Sequence, residues 1–275
     1  MSGRWRAAIA NGLYAPVDVR VGTWLRLGLG LLLAYAYWPD ERQRYNGLLG
    51  RSEWRYDLFE EFFLHPGYMA LMLVGIVAFI VGWRTRWVGL SLVALLLPHG
   101  FLTHGLQSRQ ILVFSLACVS LLPSRPLWRL WGQSADEQDK PVGPVWPLRL
   151  LQAQLTVIYA VNALYKTTPQ FLSGRVLAEL SRLPNFLVDL TSGFWRLGAW
   201  SVPVAWLAMA TVVMEYALAV GFWWRRTLVF SVVLGVVFHL ALKFVMRIHM
   251  LDLVTMFLYF GFLVPALINE SNERK

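Results

Sequence analysis

The sequence predicts an all-α, polytopic transmembrane helix bundle of about eight spans, with both termini in the cytoplasm. Three observations predict it. Charged residues make up only 15% of the 275-residue chain, against about 25% in soluble domains. Long apolar runs recur along its whole length, raising the mean hydropathy to +0.51. Two short turns, Trp83-Arg84-Thr85-Arg86-Trp87 and Trp223-Trp224-Arg225-Arg226-Thr227, are purely basic, the pattern that stays on the cytoplasmic side. The fourteen tryptophans and ten tyrosines fit the same class, because both gather at membrane interfaces. The net charge of +9 is best explained by loop arginines that orient the helices. No basic stretch is long enough for a nucleic-acid groove, so no nucleic-acid partner is expected.

The elements follow in order. Residues Met1 to Val21 contain arginines but no apolar core of signal-peptide length and no small-residue cleavage motif; the first hydrophobic segment is therefore expected to be retained. Eight apolar segments are then read: Gly22–Trp38, Pro66–Trp83, Trp87–Leu102, Gln110–Leu122, Pro147–Tyr165, Trp200–Trp223, Thr227–Val245 and Met250–Leu267. A bilayer core takes about 20 helical residues, with a range of roughly 17–25. Trp87–Leu102 and Gln110–Leu122 are short, and one of them is expected to be tilted or incompletely spanning. The other six are counted as spans. With eight spans both basic turns fall on one side with Arg4, Arg6, Arg125, Arg129 and Lys140, which places the termini inside and the chain, multi-pass, in the inner (cytoplasmic) membrane. One domain is expected over residues 1–275. It has a cytoplasmic linker near 124–146 and outer loops near 39–65 and 167–199. The second outer loop, with an apolar patch at Leu183–Leu190, is expected to lie on the membrane as short amphipathic helices. No internal repeat is found.

Chemistry is read from polar groups in apolar surroundings. Gln152, Thr156, Tyr159, Asn162 and Lys166 recur 4, 3, 3 and 4 residues apart, which is helical periodicity. Lipid gives no reason to align two amides, a hydroxyl, a phenol and an amine. An ionisable group within a span costs about 2.5–3.5 kcal/mol on insertion scales, so those present are candidates for function. Arg26 lies in the first segment, Glu215 near the middle of the sixth, and His239, Lys243 and Arg247 every four residues on the seventh. His249 and Asp252 open the eighth, and His99, His104 and Arg109 lie at the ends of the third and fourth.

Each residue also has a structural reading. Lys166 can snorkel to the interface. Glu215 can pair with Arg26 or a backbone group. His239 can make an interhelical hydrogen bond. Lys243, Arg247 and Asp252 can form an interfacial charge cluster. Cys118, the only cysteine, reads as a small core residue and excludes an internal disulfide. No spacing matches a structural zinc or di-iron motif, and no phosphate loop or nucleophile elbow occurs, so no metal is predicted. A lysine held neutral in a water-poor pocket is a general base. The stripe therefore permits proton abstraction from a lipophilic acid such as a quinol or phenol.

Several stretches resemble the HTTM family, membrane proteins related to vitamin K-dependent gamma-carboxylase. They are Trp146-Pro147-Leu148-Arg149-Leu150-Leu151-Gln152-Ala153-Gln154-Leu155, continuing through Tyr159 to Leu164-Tyr165-Lys166, and Phe171-Leu172-Ser173-Gly174. Tyr14-Ala15-Pro16-Val17-Asp18, the Gly82-Trp83-Arg84-Thr85-Arg86 turn, Glu215 before a basic turn, and Phe238-His239-Leu240 with Ile248 follow the family in the same order. The resemblance implies that Lys166 deprotonates a reduced, vitamin K-like quinone at the outer face, with His239 and Glu215 supporting it. Gln152, Thr156, Tyr159, Asn162, Lys243, Arg247, His249 and Asp252 would line the pocket.

The departures narrow this expectation. Ser108-Arg109-Gln110 stands where the carboxylase has a histidine, Phe171 is the nearest residue to the usual tryptophan, and the chain ends soon after the last segment. Peptide glutamate carboxylation is therefore not expected. The partners implied are the bilayer, a lipophilic small molecule and a secreted peptide or redox partner. The alternative reading is a non-catalytic membrane protein for maturation, export or immunity of a secreted peptide.

Overall fold

The computed structural model describes residues 13–37, 65–102, 107–129, 143–183, 186–197, 200–246 and 250–273. The outer loop near 39–65, apart from His65, and residues 130–142 of the linker lie outside them. Every predicted segment contains a helix. In chain order these are α1 (Val19–Ala36), α2 (Pro66–Val81), α3 (Thr85–Leu102), α4 (Gln107–Leu121) and α5 (Trp146–Lys166). Two short helices follow, α6 (Pro169–Leu172) and α7 (Arg175–Leu180), then a hairpin of β1 (Phe194–Leu197) and β2 (Trp200–Pro203). The last three are α8 (Val204–Gly221), α9 (Arg225–Val245) and α10 (Met250–Glu273). The chain divides into two compact units, Met1–Leu151 with Val264–Lys275, and Gln152–Leu263.

In the first unit the helix starts are set locally. The Asp18 carboxylate accepts the Arg20 N–H at 2.7 Å and caps α1, satisfying one of the donors a helix start leaves open. Pro66, whose fixed φ suits the first helical turn, begins α2. The core is built from i, i+4 rows: Leu25, Leu29 and Leu33 on α1, Met72 and Ile76 on α2, Leu112 and Leu116 on α4. Between helices in lipid, such rows hold by dispersion and close fit.

Arg26 is the largest fully buried side chain of this unit. Its Nη2 donates to the Arg125 carbonyl at 2.7 Å and its Nη1 to Thr85 Oγ1 at 3.3 Å. Glu215, for which the sequence offers Arg26 or a backbone group as partner, takes Lys166. Gly82, at φ +89°, ends α2 in the left-handed region. A Cβ there would stand 1.9 Å from Arg26 Nη1 and 2.8 Å from Pro126 Cα. The turn therefore needs glycine both for its dihedral and for room.

In the second unit, the Thr168 hydroxyl accepts the Phe171 N–H at 3.3 Å and starts α6. Phe171 packs on Ala208 and Val212 of α8, with Leu172, Val176 and Leu177 around them. These apolar contacts fasten α6 and α7 to α8. Two expectations are corrected here. The predicted segment Trp200–Trp223 begins as strand, because Trp200–Pro203 pairs antiparallel with Phe194–Leu197 and the helix starts only at Val204. The patch Leu183–Leu190 is not helical where described. Its backbone bonds outward instead: Leu187 N–H donates to the Val245 carbonyl at 2.9 Å, and Leu190 N–H to Ser181 Oγ at 3.0 Å.

Among the described residues four helices are long and apolar enough to cross a membrane: Val19–Ala36, Val204–Gly221, Arg225–Val245 and, within α10, Leu251–Ile268. Pro66–Val81, Thr85–Pro98 and Ser108–Leu121 are shorter apolar helices, so the second predicted span joins the short class. On α9, Val229, Val233, Val237, Leu240 and Phe244 are all exposed at helical spacing. A continuous apolar stripe of that kind is costly in water and is what lipid covers. These are the features of a multi-pass membrane protein.

Candidate functional site

The α5 stripe begins in structural contacts. Gln152 Nε2 donates to the Gly261 carbonyl at 2.9 Å. Thr156 Oγ1 accepts from Trp223 Nε1 at 2.8 Å while donating to the Gln152 carbonyl at 3.2 Å. At Tyr159 the stripe meets side chains of both α9 and α10. The Tyr159 hydroxyl bonds His239 Nε2 at 2.9 Å and also the hydroxyl of Tyr259. His239 Nδ1 in turn bonds Asp252 Oδ1 at 2.7 Å. An ionised carboxylate only accepts, so Nδ1 carries the proton and Nε2 offers its lone pair to the Tyr159 O–H. Tyr259 then donates to the Tyr159 oxygen. The result is a directed chain, Tyr259 to Tyr159 to His239, with Asp252 fixing the ring behind it.

This chain is buried, with the His239 and Asp252 side chains 7% and 2% exposed. Asp252 therefore does not belong to an interfacial charge cluster. Phe222 closes one side of it, its ring centroid 6.3 Å from Tyr159 and 5.0 Å from Tyr259. Low polarity strengthens each hydrogen bond inside. It also makes Asp252 Oδ2, which is buried and has no partner among the described residues, a costly atom to leave bare.

Gly235 makes the chain sterically possible. It lies one turn before His239 on the same buried face of α9, and a Cβ there would stand 2.5 Å from the Tyr259 hydroxyl oxygen. Gly235→Ala is expected to push that hydroxyl away and to cost about 1–3 kcal/mol, the usual penalty for overpacking. A lowered thermal midpoint of the detergent-purified protein would show it; an unchanged midpoint would mean that Tyr259 yields freely.

One end of the stripe carries a second arrangement. Lys166 Nζ donates to Glu215 Oε1 at 2.6 Å. The two side chains differ in access, Lys166 being 31% exposed and Glu215 4%. The ammonium stands 5.9 Å from the centroid of the Phe171 ring, within cation–π range. Beside it Thr167 donates its hydroxyl to the Ala163 carbonyl at 2.7 Å and accepts from Tyr216 at 3.2 Å. Glu215 Oε2 is buried and without a partner among the described residues, and the carboxylate is within electrostatic reach of His239 and Tyr159. An amine open on one side, an anion closed in behind it, and a buried hydrogen-bonded chain nearby can together accept and hold a proton.

The structure thus joins Lys166 with Glu215, and His239 with Tyr159 and Asp252. Asn162 and Lys243 are half-buried and join none of these bonds among the described residues. Arg247, His249 and His104 lie outside the described residues, as does the side chain of His99. Sequence reasoning missed Tyr259, Phe222 and the apolar role of Phe171. A signal for Tyr259 was present: Asp252, Thr255 and Tyr259 are spaced 3 and 4, a second polar stripe facing the first. Among the described residues no group of three or more His, Cys, Asp or Glu side chains could hold a metal ion.

A family model described as HTTM domain matches residues 15–266 of the chain. No curated protein and no solved structure matches it.

Proposed function

The chain belongs to the HTTM family, and from that premise we propose that it is a gamma-carboxylase-like enzyme of the inner membrane. Its substrate would be a reduced quinone or a similar lipophilic acid, met at the outer face. The observation that carries the reading is the Lys166–Glu215 pair, closed on the carboxylate side and one-third open on the amine side. The residues fit a flat, weakly acidic ring. Phe171 offers the amine an aromatic surface, Tyr216 bonds the neighbouring Thr167, and the amine is the one polar group of the pair that a substrate can reach. A bound quinol would supply a phenolic proton and a reducing ring.

Lys166 acts as base when its amine is neutral, which requires Glu215 to carry the proton of the pair. The short contact makes that transfer a movement along one hydrogen bond. Glu215 then acts as the proton's resting place and Lys166 as the group that meets the substrate. The Asp252–His239–Tyr159–Tyr259 chain supports the pair by position: Asp252 holds the His239 ring so that its Nε2 accepts from Tyr159 on the same helix as Lys166.

The test is direct. Protein purified in mild detergent is extracted and searched for bound quinone, then incubated aerobically with a chemically reduced naphthoquinone. Co-purified quinone and protein-dependent consumption of the quinol are expected. Folded protein that holds no quinone and leaves the quinol untouched would reject the reading.

A further inference from the structure

We propose that the cavity at the Gly82–Trp87 turn of the first unit binds the phosphate of an anionic phospholipid headgroup. The cavity is about 580 Å³, and Arg84, Thr85, Arg86, Trp87 and Ser124 contribute to its walls. That volume lies within the usual range for small-molecule sites, roughly 300–1,000 Å³. This proposal does not rest on the enzymatic reading, since none of its residues belongs to the pair or the chain described above.

Four sources of positive potential converge on this space. Arg84 and Arg86 are exposed, and among the described residues no carboxylate pairs with either; Arg84 stands 6.0 Å from the Trp83 ring centroid. The N-terminus of α3, eighteen residues long, begins at Thr85 and directs unsatisfied N–H groups to the same end. The fourth source is Arg26. Its guanidinium is fully buried, lies against Gly82 of the cavity wall, and has no carboxylate partner among the described residues. Its Nε is buried without a hydrogen bond among the described residues. A buried, uncompensated cation is costly, and a bound anion would offset that cost.

The hydroxyls add a donor of the right kind. Thr85 Oγ1 accepts from Arg26 Nη1 at 3.3 Å and from Ser124 Oγ at 3.4 Å. Its own hydrogen is therefore available to an incoming oxygen. Arginine forks match phosphate oxygens two at a time. Exposed Trp83 and Trp87 flank the turn, and tryptophan settles at headgroup level, which favours a lipid over a soluble source of the phosphate. Basic pockets at the cytoplasmic ends of helices take such headgroups. The positive charge of the turn thus has a use beyond orienting the chain.

The test measures lipid retention by native mass spectrometry of delipidated protein with added phosphatidylglycerol, phosphatidylcholine or inorganic phosphate. Phosphatidylglycerol is expected to be retained and phosphatidylcholine not. Arg84→Gln with Arg86→Gln should lower that retention by roughly tenfold or more, as expected for losing two forked phosphate contacts. Arg84→Lys with Arg86→Lys keeps the charge that orients the turn but loses the fork, and should fall between. Arg225→Gln with Arg226→Gln, in the other basic turn, should leave retention unchanged. Equal retention of the two lipids, or equal loss from the two turns, would overturn the site. Displacement of phosphatidylglycerol by millimolar inorganic phosphate would overturn the lipid source and leave a soluble phosphate as the occupant.

Discussion

Lys166→Arg is expected to keep the protein folded and to remove quinol turnover by about 10²–10⁴-fold, the range for a lost positioned acid–base group. Arginine retains the ion pair with Glu215 but stays protonated in proteins, so it cannot take a proton. Lys166→Met is a less clean experiment. It leaves the Glu215 carboxylate, 4% exposed, without its partner. Breaking a buried pair costs about 3–5 kcal/mol, and because Lys166 is one-third open the lower end of that range is expected here. Lys166→Met combined with Glu215→Leu removes both charges and should regain most of the stability while remaining inactive. The three variants separate chemistry from folding when turnover and thermal midpoint are measured on the same preparations. An active Lys166→Arg protein would remove the base role from this residue.

The second large effect is on stability. Gly82→Ala is expected to destabilise the first unit by about 3 kcal/mol or more. The left-handed dihedral accounts for about 1–2 kcal/mol of it, and overpacking for about 1–3 kcal/mol. The added methyl would meet a guanidinium at 1.9 Å and a backbone carbon at 2.8 Å. Neither yields cheaply, since Arg26 is held by the Arg125 carbonyl and Thr85. Arg26→Met removes the first of the two clashes, so the double variant should be more stable than the sum of the single effects. Thermal midpoints of the four proteins in detergent give the cycle directly; strict additivity would show that Gly82 and Arg26 do not constrain each other.

Much of the fold is legible in the sequence because lipid imposes a simple rule. A helix must satisfy its own backbone, so each apolar segment reads as helix and contains one. The rule fails at the edges. Trp200–Pro203 continues an apolar run into Val204, and periodicity cannot separate a short apolar strand from the first turn of a helix. Leu183–Leu190 is apolar enough for an amphipathic helix, but its backbone groups bond to Val245, far along the chain, and to the Ser181 side chain.

The site divides in the same way. The α5 stripe is visible because its members lie on one helix. Asp252 is not, because an acid at the start of an apolar segment looks the same whether it faces headgroups or a histidine thirteen residues earlier. Glu215 stands among apolar residues and had two possible cations in view. Only tertiary structure gives it to Lys166 and gives Arg26 to a carbonyl.

The exposed row on α9 has a further meaning. Val237 and Leu240 look outward while His239, between them, looks inward to Tyr159. The imidazole is thus separated from hydrocarbon by the thickness of one helix backbone. Acyl chains, unlike water, neither exchange protons nor reorient strong dipoles. On that side the membrane works as an electrical insulator, and a proton placed on His239 has no route out through the lipid.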